Sequence, residues 1–266
     1  MKKHLATAIE AAIEAGREIM NVYEGENFQM EIKSDKSPLT IADKRSNDII
    51  NEFLKPTGIP VISEENTELP FEERKNWKQC WIVDPLDGTK EFIKRNGEFT
   101  VNIALVLEGR PELGVIYAPA LNLLYFSLVS EKKAFKYNRT SEAVDANEIM
   151  MSAKEIQREV ISNAIKVVGS RSHMNQETLN FIEELRSSEK EVQVVSKGSS
   201  LKFCLLAEGE AHYYPRFGPT MEWDTAAGQA ICEAVGFSCK FSHSGKSIHY
   251  NRKNLRNDNF VVSYEG

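Results

Sequence analysis

Trp81-Ile82-Val83-Asp84-Pro85-Leu86-Asp87-Gly88-Thr89 is a short apolar run that ends in two carboxylates, a glycine and a hydroxyl. Residues of these types at this spacing can hold a divalent metal and a phosphate. Cys80 to Val83 carries the side chains of a buried strand, and Pro85, which has no amide to donate to a ladder, is expected to stop it. The chemistry then falls at the carboxyl end of a strand, where α/β proteins bind their ligands. Pro85 stiffens the turn, so that Asp84 and Asp87 can project toward one point with the Leu86 carbonyl between them as a third hard oxygen donor. Such oxygens suit magnesium. Gly88 lets the backbone approach an anion, and the amides of Gly88 and Thr89 would face phosphate oxygens if a helix starts at Lys90. The same residues also make an ordinary Asp-Pro-x-Asp-Gly turn, because Asp, Pro and Gly are common turn formers.

Two further clusters bear on that choice. Val61-Ile62-Ser63-Glu64-Glu65-Asn66 is another short apolar run ending in adjacent carboxylates, and alone it reads as a solvated acidic loop. Trp223-Asp224-Thr225-Ala226-Ala227-Gly228-Gln229-Ala230-Ile231 sets an aspartate before a run with helical periodicity at Ala227, Ala230, Ile231 and Ala234, so Asp224 alone reads as an N-cap. Together, Glu64, Asp84, Asp87 and Asp224 supply the carboxylates that a phosphatase using two or three magnesium ions needs, and Thr89 is placed to help orient an attacking water.

On these motifs the chain resembles the lithium-sensitive, magnesium-dependent phosphatase superfamily that includes inositol monophosphatase and fructose-1,6-bisphosphatase. The defining patterns there are Asp-Pro-(Ile/Leu)-Asp-Gly-Thr and a later Trp-Asp-x-Ala-Ala, and the resemblance runs from about Ile9 to Tyr264. It is more specific still to the bacterial 3′(2′),5′-bisphosphate nucleotidases that serve sulfate assimilation. That likeness rests on Gly88-Thr89-Lys90-Glu91-Phe92, on Gly198-Ser199-Ser200-Leu201-Lys202-Phe203-Cys204-Leu205-Leu206-Ala207-Glu208-Gly209, and on Tyr214-Pro215-Arg216-Phe217-Gly218-Pro219-Thr220. Inositol phosphatases share the carboxylates and carry a different segment in place of this Lys- and Arg-containing run.

The resemblance implies removal of the 3′-phosphate from adenosine 3′,5′-bisphosphate, with AMP and phosphate as products. Glu64, Asp84 and the Leu86 carbonyl would ligate a first magnesium, and Asp84, Asp87 and Asp224 a second. Asp43 would accept a hydrogen bond from Thr89, leaving the Thr89 oxygen to take one from the attacking water, so that Asp43, Thr89 and Glu64 form the catalytic group. Asp43 alone reads as an early-helix aspartate favoured by the dipole. Glu64, Asp87, Gly88, Thr89 and Asp224 would surround the scissile phosphate. Ser199, Lys202, Arg216 and His173 would engage the nucleotide, with Arg216 offering a bidentate fork to the second phosphate. Alone, Lys202 reads as a solvated helix residue and His173 as a loop histidine. Lys33 and Glu65 resemble residues that support the ligands from behind.

These groups need elements to position them. Leu5, Ala8, Ile9, Ala12, Ile13, Gly16, Ile19, Met20 and Tyr23 recur at steps of three and four, the apolar face of an N-terminal helix, and a second helix is expected from about Ile41 to Leu54. The polar loop Lys33-Ser34-Asp35-Lys36-Ser37-Pro38 separates them. Strands are expected at about 60–63, 80–83, 100–108, 113–118 and 123–129, joined as antiparallel hairpins through Gly109-Arg110-Pro111 and Pro119-Ala120-Leu121-Asn122. The polar passage 138–153 suggests a boundary between a subdomain at 1–140 and another at 141–266. Beyond it, strands near 165–169, 192–196, 211–214 and 260–264 alternate with helices near 175–186, 199–207 and 224–236. The implied fold is the inositol monophosphatase-like (sugar phosphatase) one, an α+β or α/β layering in the order α-β-α-β-α.

With 266 residues, 41% hydrophobic and 27% charged, the chain has the composition of a globular enzyme. A net charge of −6 argues against a stable nucleic-acid partner, so a polyanionic small molecule must be drawn by local cations and bound metal. No apolar run reaches the length of a membrane span and the amino terminus has no signal-type core, which points to the cytoplasm. The four cysteines make no Cys-x-x-Cys pair and the five histidines no metal-ligand spacing. Other readings remain: a phosphatase of inositol or sugar phosphates on the same carboxylates, or a non-catalytic nucleotide sensor. A sensor could discard the water-orienting pair, whereas Thr89 and Asp43 are both present. Nor is there a 12-residue calcium loop with alternating ligands.

Overall fold

Alternation along its strands sorts the largest sheet into two faces, each buried under helices. In this computed structural model, which describes residues 1–25, 30–32, 38–140, 144–157, 164–169, 174–187 and 191–264, that sheet has seven strands. In spatial order they are Val61–Ser63, Gln79–Asp87, Thr100–Leu107, Arg110–Ala118, Leu123–Leu128, Lys133–Asn138 and Lys154–Glu155. The first two are parallel and every later neighbour is antiparallel, as the hairpin signals predict.

Trp81, Val83, Ile103, Leu105 and Val115 point to one face, where Ile9 and Ile13 of the helix Lys2–Glu24 and Ile50 and Leu54 of the helix Ile41–Leu54 bury them. Cys80, Ile82, Ala104, Val106 and Ile116 point to the other, where the helices Leu201–Ala207 and Ala226–Ala234 pack. Gly114 permits that contact, since a Cβ there would lie 2.4 Å from the Ala227 carbonyl oxygen. The far side of the same two helices meets Tyr214, Cys239, Phe260 and Val262 of a five-stranded sheet. Its spatial order is Val192–Ser196, Ile165–Gly169, Tyr213–Arg216, Phe260–Tyr264 and Phe237–Phe241. The helix Gln176–Arg186 closes the outside through Ile182, which packs with Val167 and Val192. The layering is α-β-α-β-α, as expected.

Several local expectations need correction. Pro85 does not end its strand: pairing lapses between Asp84↔Asn102 and Asp87↔Thr100, and the proline sits inside that bulge, where no ladder amide is required. The short helix after Gly88 begins at Thr89, not Lys90. The last long helix starts at Ala226 with Thr225 as its N-cap, so Asp224 is not the cap. Within these two sheets three strands escaped the sequence pattern, Lys133–Asn138, Lys154–Glu155 and Phe237–Phe241. The strand Lys154–Glu155 pairs back onto Lys133–Asn138, so the seven-stranded sheet draws its last strand from beyond position 140. Lys33 and His173 lie outside the described residues.

Candidate active site

Parallel pairing of Ser63 with Val83 sets Glu64, just past the end of its strand, beside Asp84, which is still paired with Asn102, and the Glu64 amide donates to the Val83 carbonyl at 3.3 Å. The helix Ile41–Leu54 fixes both acidic loops from one face. Ser46 donates to the Pro85 carbonyl at 2.6 Å, Asn47 accepts from Ser63 at 2.8 Å, and Asn47 and Asn51 donate to Asn66 at 2.9 and 3.2 Å. One turn earlier on that face stands Asp43, 1% exposed, whose Oδ2 lies 3.5 Å from the Thr89 hydroxyl. The same hydroxyl is 3.5 Å from the Leu86 carbonyl. Gly88 turns the chain with φ of 92°, in the left-handed region, and a Cβ there would crowd the Glu98 carbonyl at 3.2 Å and Ser199 at 3.3 Å.

The Gly198-Ser199-Ser200 segment closes on this turn from the other half of the chain. Both serine hydroxyls donate to Asp87 Oδ2, at 2.6 and 2.9 Å, and Ser200 also reaches the Asp224 carbonyl at 3.2 Å. Behind them Asn102 donates to Ser200 at 3.0 Å and Thr100 shares a hydrogen bond with Ser199 at 2.6 Å. Asp224, placed by the turn before Ala226–Ala234, accepts from the Met221 amide at 2.8 Å.

Asp84 is the centre of this group and is 1% exposed. Its carboxyl is held well above the ordinary 3.8, first by burial and then by the charges of Glu64, Asp87, Asp224 and Asp43. Burial, followed by Asp87, pushes Asp224 up to about 7, against the opposing bond from the Met221 amide. Clustered carboxylates that resist ionisation this way are a cation's counterpart, and Glu64, Asp84, Asp87, Asp224 and the Leu86 carbonyl could offer a metal ion oxygen donors alone. Among the described residues no three His, Cys, Asp or Glu side chains already close on one point at ligating distance. The oxygens of Asp84, Asp87 and Asp224 are engaged by the Leu86 amide, the two serines and the Met221 amide.

Asp87, Gly88, Ser199, Lys202, Arg216 and Asp224 line one cleft of about 290 Å³, while Glu64 lines a neighbouring one with Trp223. Lys202 donates to the Ser199 carbonyl, stands 5.9 Å over the Tyr214 ring, and has its ammonium lowered by burial against the pull of Asp87. Arg216 donates to the Pro219 carbonyl at 3.1 Å, and its Nε is buried with no protein partner among the described residues. Ser46, Asn47, Thr100, Asn102 and Ser200 were missed in the sequence. Only Ser200, inside the Gly-Ser-Ser block, carried a signal that could have found it.

Residues 1–263 match the inositol monophosphatase family. The 3′(2′),5′-bisphosphate nucleotidase CysQ of Salmonella typhimurium is 44% identical over 263 residues, 97% of this chain and 99% of that protein. The CysQ nucleotidase of Escherichia coli K12 is 44% identical over 258 residues, 96% of this chain and 97% of its own. Crystalline CysQ from Bacteroides thetaiotaomicron, described as a bacterial member of the inositol monophosphatase family, superposes with a TM-score of 0.90 at 41% identity, covering 100% of this chain and 98% of that one.

Proposed function

Because this chain belongs to the inositol monophosphatase family and aligns end to end with 3′(2′),5′-bisphosphate nucleotidases, we infer that it is a metal-dependent phosphatase acting on adenosine 3′,5′-bisphosphate. It removes the 3′-phosphate to give AMP and inorganic phosphate, and so recycles a by-product of sulfate assimilation. One observation carries the substrate: a single cleft holds carboxylates of the acidic cluster and the cations Lys202 and Arg216. A bisphosphate uses both ends. An inositol or sugar monophosphate would use the carboxylate end and leave the cations without a role.

We assign magnesium to the all-oxygen set, two or three ions held by Glu64, Asp84, the Leu86 carbonyl, Asp87 and Asp224. When bound, it supplies a more acidic water and stabilises charge on the phosphoryl and leaving oxygens. The chain's own residues do the rest. Asp43 takes the Thr89 proton in a hydrogen bond, so the Thr89 oxygen faces the attacking water as an acceptor and sets its line of approach. We assign Glu64 as a further acceptor for that water. The amides of Gly88 and Thr89 orient the phosphate. Ser199, Lys202 and Arg216 bind the nucleotide, and the unpartnered Nε of Arg216 is a donor available to its second phosphate. We assign His173 to the same subsite.

All four cysteines are unpaired and buried, in keeping with a reducing cytoplasm. No helix among the described residues is long and apolar enough to cross a membrane.

Product analysis tests the assignment. With magnesium, chromatography of the reaction should show AMP and phosphate in equal amounts, and a chelator should stop their release. Appearance of adenosine 3′-phosphate, or release undiminished by the chelator, would refute it.

A further inference from the structure

The loops carrying Glu64 and Asp224 come from distant parts of the chain, and one buried polar bridge joins them from behind. Arg74 is 1% exposed. Its Nε donates to the Leu69 carbonyl at 3.1 Å and its Nη2 to Glu68 at 3.4 Å, both in the loop that follows Glu64. Nη1 donates to the Asn251 side chain at 2.9 Å and to the Arg252 carbonyl at 2.6 Å, and Nη2 donates also to the Lys253 carbonyl at 3.2 Å. The Asn251 side chain returns a bond to the Arg74 carbonyl at 2.7 Å. From there the amides of Asn251 and Arg252 donate to the Glu222 carboxylate at 2.6 and 3.1 Å, and Arg252 Nε pairs with it at 3.0 Å. Glu222 is fully buried and stands two residues before Asp224.

Most of the Arg74 acceptors are neutral, and its one carboxylate partner among the described residues, Glu68, keeps 64% exposure. Buried charge is a weak source of stability, and apolar residues of similar volume often serve as well. A fork that ties backbone to backbone does something apolar packing cannot: it fixes the spacing of two loops. We propose that Arg74, Asn251 and Glu222 form a positioning bridge that sets the separation of Glu64 and Asp224 and thereby the affinity of the site for magnesium. The proposal rests on the metal assignment above.

Titration calorimetry of the full chain with magnesium alone, without substrate, tests it alongside thermal unfolding in chelator. Asn251→Gly removes both side-chain links yet tolerates the local φ of 59°, so it spares the fold and both buried charges. It should weaken magnesium binding about tenfold, the usual cost of losing a group that orients a ligand. Arg74→Lys and Glu222→Gln should weaken binding by a similar factor, and Asn251→Gly combined with Glu222→Gln should lose no more than the worse single change, since the two act in series. A bridge that serves only stability would lower the unfolding temperature and leave magnesium affinity at the wild-type value in all variants, which would overturn the proposal. Wild-type protein that takes up no magnesium would instead sink the metal assignment, and the bridge's role with it.

Discussion

The Thr89 hydroxyl lies 3.5 Å from Oδ2 of Asp43, which joins the turn after the strand Gln79–Asp87 to the first turn of the helix Ile41–Leu54. In the proposed mechanism this pair aligns the attacking water, whereas the Ser199 and Ser200 hydroxyls donate to Asp87, a proposed metal ligand. Thr89→Val keeps the shape and removes the donor. We expect kcat to fall about a hundredfold or more, the lower range of positioned proton handling, with magnesium affinity and unfolding temperature close to wild type. Calorimetry showing magnesium affinity lost in step with kcat would place Thr89 among the metal-holding groups instead.

Asp84→Asn should drop turnover below about one-hundredth of wild type, about 2.7 kcal/mol of transition-state stabilisation, because an amide brings no charge to the centre of the site. In chelator at pH 8 the same variant should unfold at a higher temperature than wild type, since it removes a buried charge repelled by Glu64, Asp87, Asp224 and Asp43. A lower unfolding temperature there would mean that the cluster is not under electrostatic stress.

Stability should also depend on pH in a characteristic sense. Asp224 is raised from 3.8 to about 7, and Glu222 from 4.5 to about 7, mainly by burial. A carboxyl raised on folding binds its proton more tightly in the native state, so its contribution is full below about 4 and is lost as pH rises through about 7. In chelator the unfolding temperature should therefore fall between pH 5 and pH 8, and saturating magnesium, which binds the ionised form, should flatten or reverse the slope. Identical slopes with and without magnesium would contradict the assignment of Asp224 to the metal.

Arg216→Ala removes a donor proposed to act on the nucleotide portion remote from the scissile phosphate. KM for adenosine 3′,5′-bisphosphate should rise about tenfold or more, as for loss of one charge-assisted hydrogen bond of roughly 1.5–3 kcal/mol, while hydrolysis of a small phosphate ester stays near wild type. Equal losses on both substrates would make Arg216 a support of the fold.

The carboxylates and the Lys- and Arg-containing blocks were legible because their chemistry depends on residue type at short range. Asp43 was legible only through family resemblance, since its bond to Thr89 spans 46 residues. Pro85 misled because a proline usually ends a strand, and only the pairing of Asp87 with Thr100 shows that the ladder resumes past the bulge. The strand Phe237–Phe241 alternates buried and half-exposed residues and could have been read, whereas Lys133–Asn138 is a largely polar stretch whose pairing is decided by its neighbour. Thr100, Asn102, Arg74 and Glu222 left no local sign: each is an ordinary polar residue until the fold buries it beside a partner more than 20 positions away.

Side-by-side turnover of adenosine 3′,5′-bisphosphate and inositol 1-phosphate, with magnesium and with chelator, is the most direct test of the central claim that one cleft joins Asp87 and Asp224 of the proposed metal site to a cationic subsite for a second phosphate. Magnesium-dependent hydrolysis with kcat/KM for the bisphosphate at least about a hundredfold above that for inositol 1-phosphate, about 2.7 kcal/mol in favour of the second phosphate, is the expected result. Equal or faster hydrolysis of inositol 1-phosphate would contradict it.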